Sequence, residues 1–287
     1  MNAVKHRKLY QIIYYQLIQR HIFAITGFIR VIPDFLVIGA KRCGTTSLYQ
    51  HLSEHPCISG SPHDNIGFFN ENYHLGINWY KSLFPTVFYK KKMESKNKHC
   101  LFFDVTSTYM EEELTAKNVY EVNPNQKIIV ILRNPVDRAY SHYHVNVKEK
   151  SEKRSFEDAV FEEMNRIKSE RIIQNKNKNL RVFTPNNIHY LKKGFYALQL
   201  KPWFKIFPKE QILVLSTEEF QEDQNLIYKK IFDFLNIPNM KIKSIEKMEK
   251  GNYIPMKHDT RNLLLDYFRQ YNHELFEFIN SEFDWKK

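Results

Sequence analysis

Phe35-Leu-Val-Ile-Gly-Ala-Lys-Arg-Cys-Gly-Thr-Thr-Ser-Leu-Tyr-Gln-His-Leu52 is the stretch that decides the fold. It reads as an apolar strand, a phosphate-cradling turn and a helix. The nucleotide-loop pattern GxxxxGK[ST] puts Gly39 first and Gly44 second, then demands Lys at position 45. Position 45 is Thr, and the cations come earlier, as Lys41 and Arg42. Backbone N–H groups and a helix start at Thr45-Thr46-Ser47 still suit an anion. The lysine that reaches the β and γ phosphates of a triphosphate is missing. The loop therefore fits the 5′-phosphate end of a nucleotide and speaks against ordinary triphosphate hydrolysis.

A second anion-binding stretch follows. Lys127-Ile-Ile-Val-Ile-Leu132 reads as a buried strand with Arg133 at its tip, and Asn134-Pro135 supplies the cap and first residue of a helix. Ser141 lies about two turns into that helix, so Arg133 and Ser141 can address one phosphate. Arg138, three residues before Ser141, either joins them at the phosphate or pairs with Asp137 or Asp104.

Four runs read as strands, Phe35–Ile38, Leu101–Val105, Lys127–Leu132 and Gln211–Leu215, with helical patterns between several of them. This predicts an α/β fold: a P-loop-like three-layer α/β/α domain around a central, mostly parallel sheet, with ligands at the strand C-termini. Lys90–His99 reads as a solvated basic loop, and the polar stretch Lys148–Lys193 contains a helix over Phe156–Lys168. Residues 1–30 are expected to be an N-terminal helical extension and 31–287 one domain.

Composition narrows the partners. The 287 residues carry 43 Lys+Arg against 32 Asp+Glu, a formal charge of +11 that favours an anionic partner. With 43% hydrophobic residues the chain can bury a sizeable core. No nucleic-acid recognition motif accompanies the charge. Cys43, Cys57 and Cys100 are widely separated and form no metal-ligand spacing, which suits reduced thiols in a cytoplasmic setting. Cys43 reads as a small packing residue within the loop. Near the N-terminus, Leu9–Gln19 is uncharged but 11 residues long, and Arg20-His21 interrupts it; a spanning helix needs about 20. Lys5-His-Arg-Lys8 and the apolar sequence after it suit either a helix docked on the domain or one lying on an anionic membrane.

Taken together, these motifs resemble the PAPS-dependent sulfotransferases, especially the bacterial and Golgi glycan-type branch. Lys41-Arg-Cys-Gly-Thr-Thr-Ser47 is similar to the family's 5′-phosphosulfate loop, and Arg133 with Ser141 to its 3′-phosphate motif. Phe68-Phe69, Gly76-Ile-Asn-Trp-Tyr80, Phe84-Pro85, Gly194-Phe-Tyr196, Trp203 and Phe207-Pro208 continue the resemblance in order. Lys250-Gly-Asn-Tyr253 resembles the late loop that closes over the cofactor.

The resemblance implies transfer of a sulfuryl group from PAPS (3′-phosphoadenosine 5′-phosphosulfate) to a hydroxyl or amine, with no metal required and a carbohydrate or glycolipid acceptor. It implies that Lys41, Arg42, Cys43, Gly44, Thr45, Thr46 and Ser47 hold the 5′ end. Arg133 and Ser141 would hold the 3′-phosphate, with Lys250, Gly251, Asn252 and Tyr253 closing the site. Asn65, Phe68, Phe69, Asp104 and Tyr196 are expected at the acceptor.

Two positions depart from the pattern. Arg42 stands where the family often has Lys; it keeps the charge but cannot donate a proton. Asn65 stands where the glycan-type branch usually has a Glu general base. His63 and Asp64 are then the candidate bases. In an extended loop His63 shares the side of Asn65 and Asp64 faces away, which puts His63 first. A polar turn without a catalytic role, in a PAPS-binding protein that transfers nothing, is the alternative.

Overall fold

The computed structural model describes residues 23–96, 100–176, 189–240 and 253–285. Its sheet has five strands: β1 (Phe35–Val37), β2 (Ile58–Gly60), β3 (Leu101–Val105), β4 (Lys127–Leu132) and β5 (Ile212–Ser216). They run in the order β2-β3-β1-β4-β5, and every pairing is parallel. Ile128 through Leu132 are completely buried, the continuous apolar burial that parallel strands covered on both faces require. The β1–β4 pairing continues beyond β1, with Ile38 N donating to Ile129 O (3.0 Å) and Ala40 N to Ile131 O (2.6 Å).

Among the described residues, ten α-helices accompany the sheet. They are α1 (Thr45–Ser53), α2 (Ile77–Lys81), α3 (Val87–Glu94), α4 (Glu113–Val122), α5 (Pro135–Lys148), α6 (Phe156–Lys176), α7 (Tyr196–Ile206), α8 (Thr217–Glu222), α9 (Gln224–Leu235) and α10 (His258–Ile279). The result is the expected three-layer α/β/α architecture. From β1 the chain winds to β2 and β3 on one side, then to β4 and β5 on the other. Sheets wound in this way bind ligands at the strand C-termini, in the crevice where the order reverses.

Helix α5 is fixed from both ends of this frame. Asn134 Oδ1 caps it by accepting from Val136 N (3.0 Å), with Pro135 in the first turn. A second apolar cluster, including Val136, Ala139, Phe156, Val160, Phe195, Leu264 and Phe268, joins it to α6 and α10. Gly194 belongs there because a Cβ would lie 2.8 Å from the Phe268 ring and 2.9 Å from Pro135 Cβ.

Three details differ from expectation. β2 contributes one apolar inward residue, Ile58, too little pattern to announce a strand. The expected basic loop at Lys90–His99 begins as helix, since α3 extends to Glu94 and Lys90 Nζ pairs with Asp34 Oδ1 at 2.5 Å. Helix α6 runs on to Lys176. Of the N-terminal extension, residues 23–29 form a 3₁₀ helix whose Gly27 packs on Asn78 of α2, and Arg30 bridges Thr86. The basic segment Lys5–Lys8 lies outside the described residues.

Candidate active site

The loop between β1 and α1 turns through two left-handed residues, Arg42 (φ 72°) and Gly44 (φ 88°). A glycine meets that geometry freely, whereas an arginine there is held by its surroundings. Gly44 caps α1 without a side-chain bond, which leaves the first-turn N–H groups of α1 without a capping side chain. Thr46 is exposed and Thr45 buried.

The two expected anion sites converge. Arg42 Nε and Nη2 both donate to Ser141 Oγ at 3.3 Å, and Arg133 Nη1 donates to the Arg42 carbonyl at 3.5 Å. Burial lowers the pKa of Arg42, and the nearby Arg133 charge lowers it further. Among the described residues no carboxylate pairs with either arginine.

Beneath them, Arg138 is fully buried. It meets neither expected partner: Asp137 pairs with Arg261 (2.7 Å), and Asp104 is bound elsewhere. Its Nη2 donates to the Tyr190 carbonyl, while Nε and Nη1 have no hydrogen-bond partner. Lys193, whose pKa is lowered by burial, pairs with Glu111 at 2.8 Å. His142 records the resulting field. Burial, then Arg138, Lys193, Lys41 and Arg42, push its pKa down to about 2.

Cys43 is fully buried, and burial pushes its thiol up to about 11. The Tyr196 hydroxyl lies 3.7 Å from Cys43 Sγ and donates to the Arg133 carbonyl at 2.8 Å. Tyr196, expected at the acceptor, is therefore a brace between the two donor loops; only 1% of it is exposed. Thr217 does similar work, its hydroxyl lying 2.7 Å from the Cys43 carbonyl and 2.8 Å from that of Leu132. Sequence reading passed over Thr217, although it follows a strand as directly as Arg133 does.

The late loop reaches the same region. Lys250, Gly251 and Asn252 lie outside the described residues. Tyr253 stacks on His144 (4.1 Å, 6°), and Tyr140 donates to the Ile254 carbonyl at 2.7 Å. Both partners sit on α5 beside Ser141.

On the acceptor side the expectations need correcting. Phe68 and Phe69 are at most 1% exposed, and Phe68 stacks on Tyr80 (4.2 Å, 6°). They are core. Asp104 is also fully buried and accepts from Tyr80 Oη (2.9 Å), Tyr109 Oη (2.7 Å) and Thr106 Oγ1 (3.0 Å). Tyr109 Oη in turn accepts from Phe68 N at 2.8 Å. Asp104 thus positions the Phe68-Phe69 backbone and touches no solvent. Asp104→Ala is expected to destabilise the fold by about 3 kcal/mol, since it strands buried hydroxyls. Urea unfolding measures this, and a loss below about 1 kcal/mol would contradict the bracing role.

The candidate bases separate. Asn65 has φ 57°, so the loop is not extended and strict alternation of sides fails there. Its Oδ1 accepts from Ser107 N (3.1 Å) and Ser107 Oγ (3.0 Å). His63 is exposed, with Nδ1 3.1 Å from the Asp64 carbonyl. Asp64 Oδ2 accepts from Thr46 Oγ1 at 2.8 Å. The structure thus brings Asp64 into hydrogen-bond contact with the donor loop.

With the fold and this geometry in view, comparison with known proteins is direct. The sulfotransferase-domain family profile matches residues 32–286, and the chain belongs to that family. It is 28% identical over 282 residues to bifunctional heparan sulfate N-deacetylase/N-sulfotransferase 1 of Xenopus laevis, covering 85% of this chain and 29% of that protein. It therefore spans less than a third of that relative. Membrane-associated sulfotransferase kil1 of Dictyostelium discoideum is 24% identical over 327 residues, covering 91% of this chain and 68% of that protein. A solved sulfotransferase from Alicyclobacillus acidocaldarius superposes with a TM-score of 0.68 at 26% identity, covering 90% of this chain and all of the other.

Proposed function

We propose that the protein transfers a sulfuryl group from PAPS to a hydroxyl or amine of a carbohydrate or glycolipid. The observation that carries this reading is the meeting of Arg42, Arg133 and Ser141 beside the start of α1, with no carboxylate among the described residues on either arginine. A donor with phosphate at both 3′ and 5′ positions needs two adjoining anion sites, and a triphosphate needs one cradle with its own lysine. The residues present fit that donor: two unpaired donors on buried Arg138 add to the field under the loop.

When bound, PAPS supplies the activated sulfuryl group. Thr45, Thr46, Ser47 and the α1 N–H groups would orient its 5′ end, with Cys43 and Gly44 shaping the turn. Lys41 and Arg42 would offset charge gathering on the departing phosphate. Arg133 and Ser141 would hold the 3′-phosphate, and Lys250, Gly251, Asn252 and Tyr253 would close over the nucleotide. Positioning and fixed charge supply the catalysis, without a metal. The heparan sulfate N-sulfotransferase relatives support a glycan acceptor.

Cytoplasmic placement is part of the proposal and rests on three free cysteines. So is a peripheral membrane contact through residues 1–30; no described helix is long and apolar enough to cross a membrane, and kil1 is named as membrane-associated.

Adenosine 3′,5′-bisphosphate is expected to raise the melting temperature by several degrees, and ATP with Mg²⁺ much less. Equal shifts, or none with the bisphosphate, sink the PAPS assignment. A second reading, a nucleotide-binding relative without turnover, draws on the commitment of Asn65 to Ser107. A labelled-sulfate screen over glycans and lipids decides it: turnover only after Asn65→Glu supports that reading.

A further inference from the structure

We infer that Asp64 takes the acceptor's proton and that Thr46 holds its carboxylate until the donor occupies the loop. This rests on the sulfotransferase reading above and assigns a role within that site.

The argument begins at Asn65. Its left-handed φ of 57° is one that Asn adopts more readily than most residues. Asn65 N donates to the Val105 carbonyl at 2.6 Å, and its side-chain oxygen accepts twice from Ser107. Position 65 therefore ties the loop to the end of β3. That tie turns the preceding residue toward α1, where Asp64 Oδ2 meets Thr46 Oγ1 at 2.8 Å. Thr46 is exposed and Asp64 half-buried, so an acceptor arriving from solvent can reach the carboxylate.

A threonine hydroxyl has one proton to donate. It can serve the Asp64 carboxylate or an oxygen of the donor, and not both. Once the donor takes it, the carboxylate loses that bond beside the incoming acceptor. The step then balances. The acceptor oxygen or nitrogen forms its bond to sulfur and passes its proton to Asp64. The bond from sulfur to the 5′-phosphate oxygen breaks, and its electron pair leaves on that oxygen, opposite Lys41 and Arg42. The arrangement favours binding of the donor before the acceptor.

The test uses the full chain, titrated calorimetrically with adenosine 3′,5′-bisphosphate, and PAPS turnover with N-desulfated heparan sulfate. Asp64→Asn removes a negative charge next to the nucleotide's, so the bisphosphate should bind about three- to tenfold tighter. Transfer should fall at least about a hundredfold, the scale of a lost general base. Thr46→Val should weaken bisphosphate binding, and Asp64→Glu should keep part of the transfer. An unchanged melting temperature in Asp64→Asn separates these effects from misfolding.

Unchanged or weaker bisphosphate binding by Asp64→Asn overturns the inference, as does transfer at the native rate. If the native protein sulfates none of the acceptors tried, the binding arm alone decides. Failure of the native protein to bind the bisphosphate removes the sulfotransferase reading and this inference with it. Binding that is indifferent to Asp64 removes only the inference.

Discussion

Arg133→Ala is expected to weaken binding of adenosine 3′,5′-bisphosphate about a hundredfold while leaving the free protein at least as stable as before. A charge-assisted, forked contact to a phosphate is worth roughly 2–3 kcal/mol, which converts to that factor. In the free protein the same side chain contributes little. Its described protein contact is a 3.5 Å bond to the Arg42 carbonyl, and among the described residues no carboxylate pairs with its charge, which faces Arg42. Removing it relieves repulsion. Opposite signs for ligand affinity and free-state stability are what distinguish a binding residue from a structural one. Arg133→Lys should fall between, since it keeps the charge and loses the fork. Calorimetric titration with the bisphosphate, paired with urea unfolding without it, reads both quantities. A drop in stability of 2 kcal/mol or more in Arg133→Ala, with affinity unchanged, would make Arg133 a part of the scaffold.

Much of this site was legible because anion binding uses residues whose position follows from local pattern. A buried strand ending at Leu132 puts Arg133 at the sheet's C-terminal edge, and Asn134-Pro135 fixes where α5 starts. Ser141 then lies at a known height on that helix. The acceptor side was not legible in the same way. Residue type could not say that Asp104 is sealed under Tyr80 and Tyr109, because its partners lie 24 and 5 residues away and come together only in the folded chain. Alternation puts His63 ahead of Asp64, but only on the premise of an extended loop, which the backbone at Asn65 does not meet. That choice turns on the left-handed Asn65 that follows them and on Thr46, the donor loop's second threonine. Arg138 shows the same limit from the other side. Arg138, Ser141 and His142 share the inward face of α5, but sequence offered two carboxylates for Arg138 and the fold uses neither.

That inward face makes the second large prediction. Native stability is expected to fall as pH drops from 7 toward 5, with His142 the largest contributor. Its ring is 4% exposed and packs edge-on to Tyr190, with Nδ1 lacking a partner. Arg138, Lys193, Lys41 and Arg42 all oppose a positive charge there, and Glu111 is occupied by Lys193. With a folded pKa of about 2 against an ordinary value of 6.5, the unfolded chain takes the proton first. Between those values the unfolded state binds more protons, so stability declines as pH falls, by up to about 1.4 kcal/mol per unit. At pH 5 the loss from this one group is on the order of 2 kcal/mol. His51, His55 and His144, which burial also lowers, add in the same direction. Carboxylates act in a lower window. Arg154 holds Glu152 down to about 2, and for Glu163 the bonds from His189 and three backbone N–H groups outweigh burial. Their contributions are present above about pH 4.5 and fade only below it. Urea unfolding at pH 7, 6 and 5 on the native protein and on His142→Gln therefore isolates the histidine: the native curve should slope and the variant's should flatten markedly. Equal slopes would mean that the folded protein protonates His142 as readily as the unfolded chain does, and that the cations under the donor loop are screened from one another.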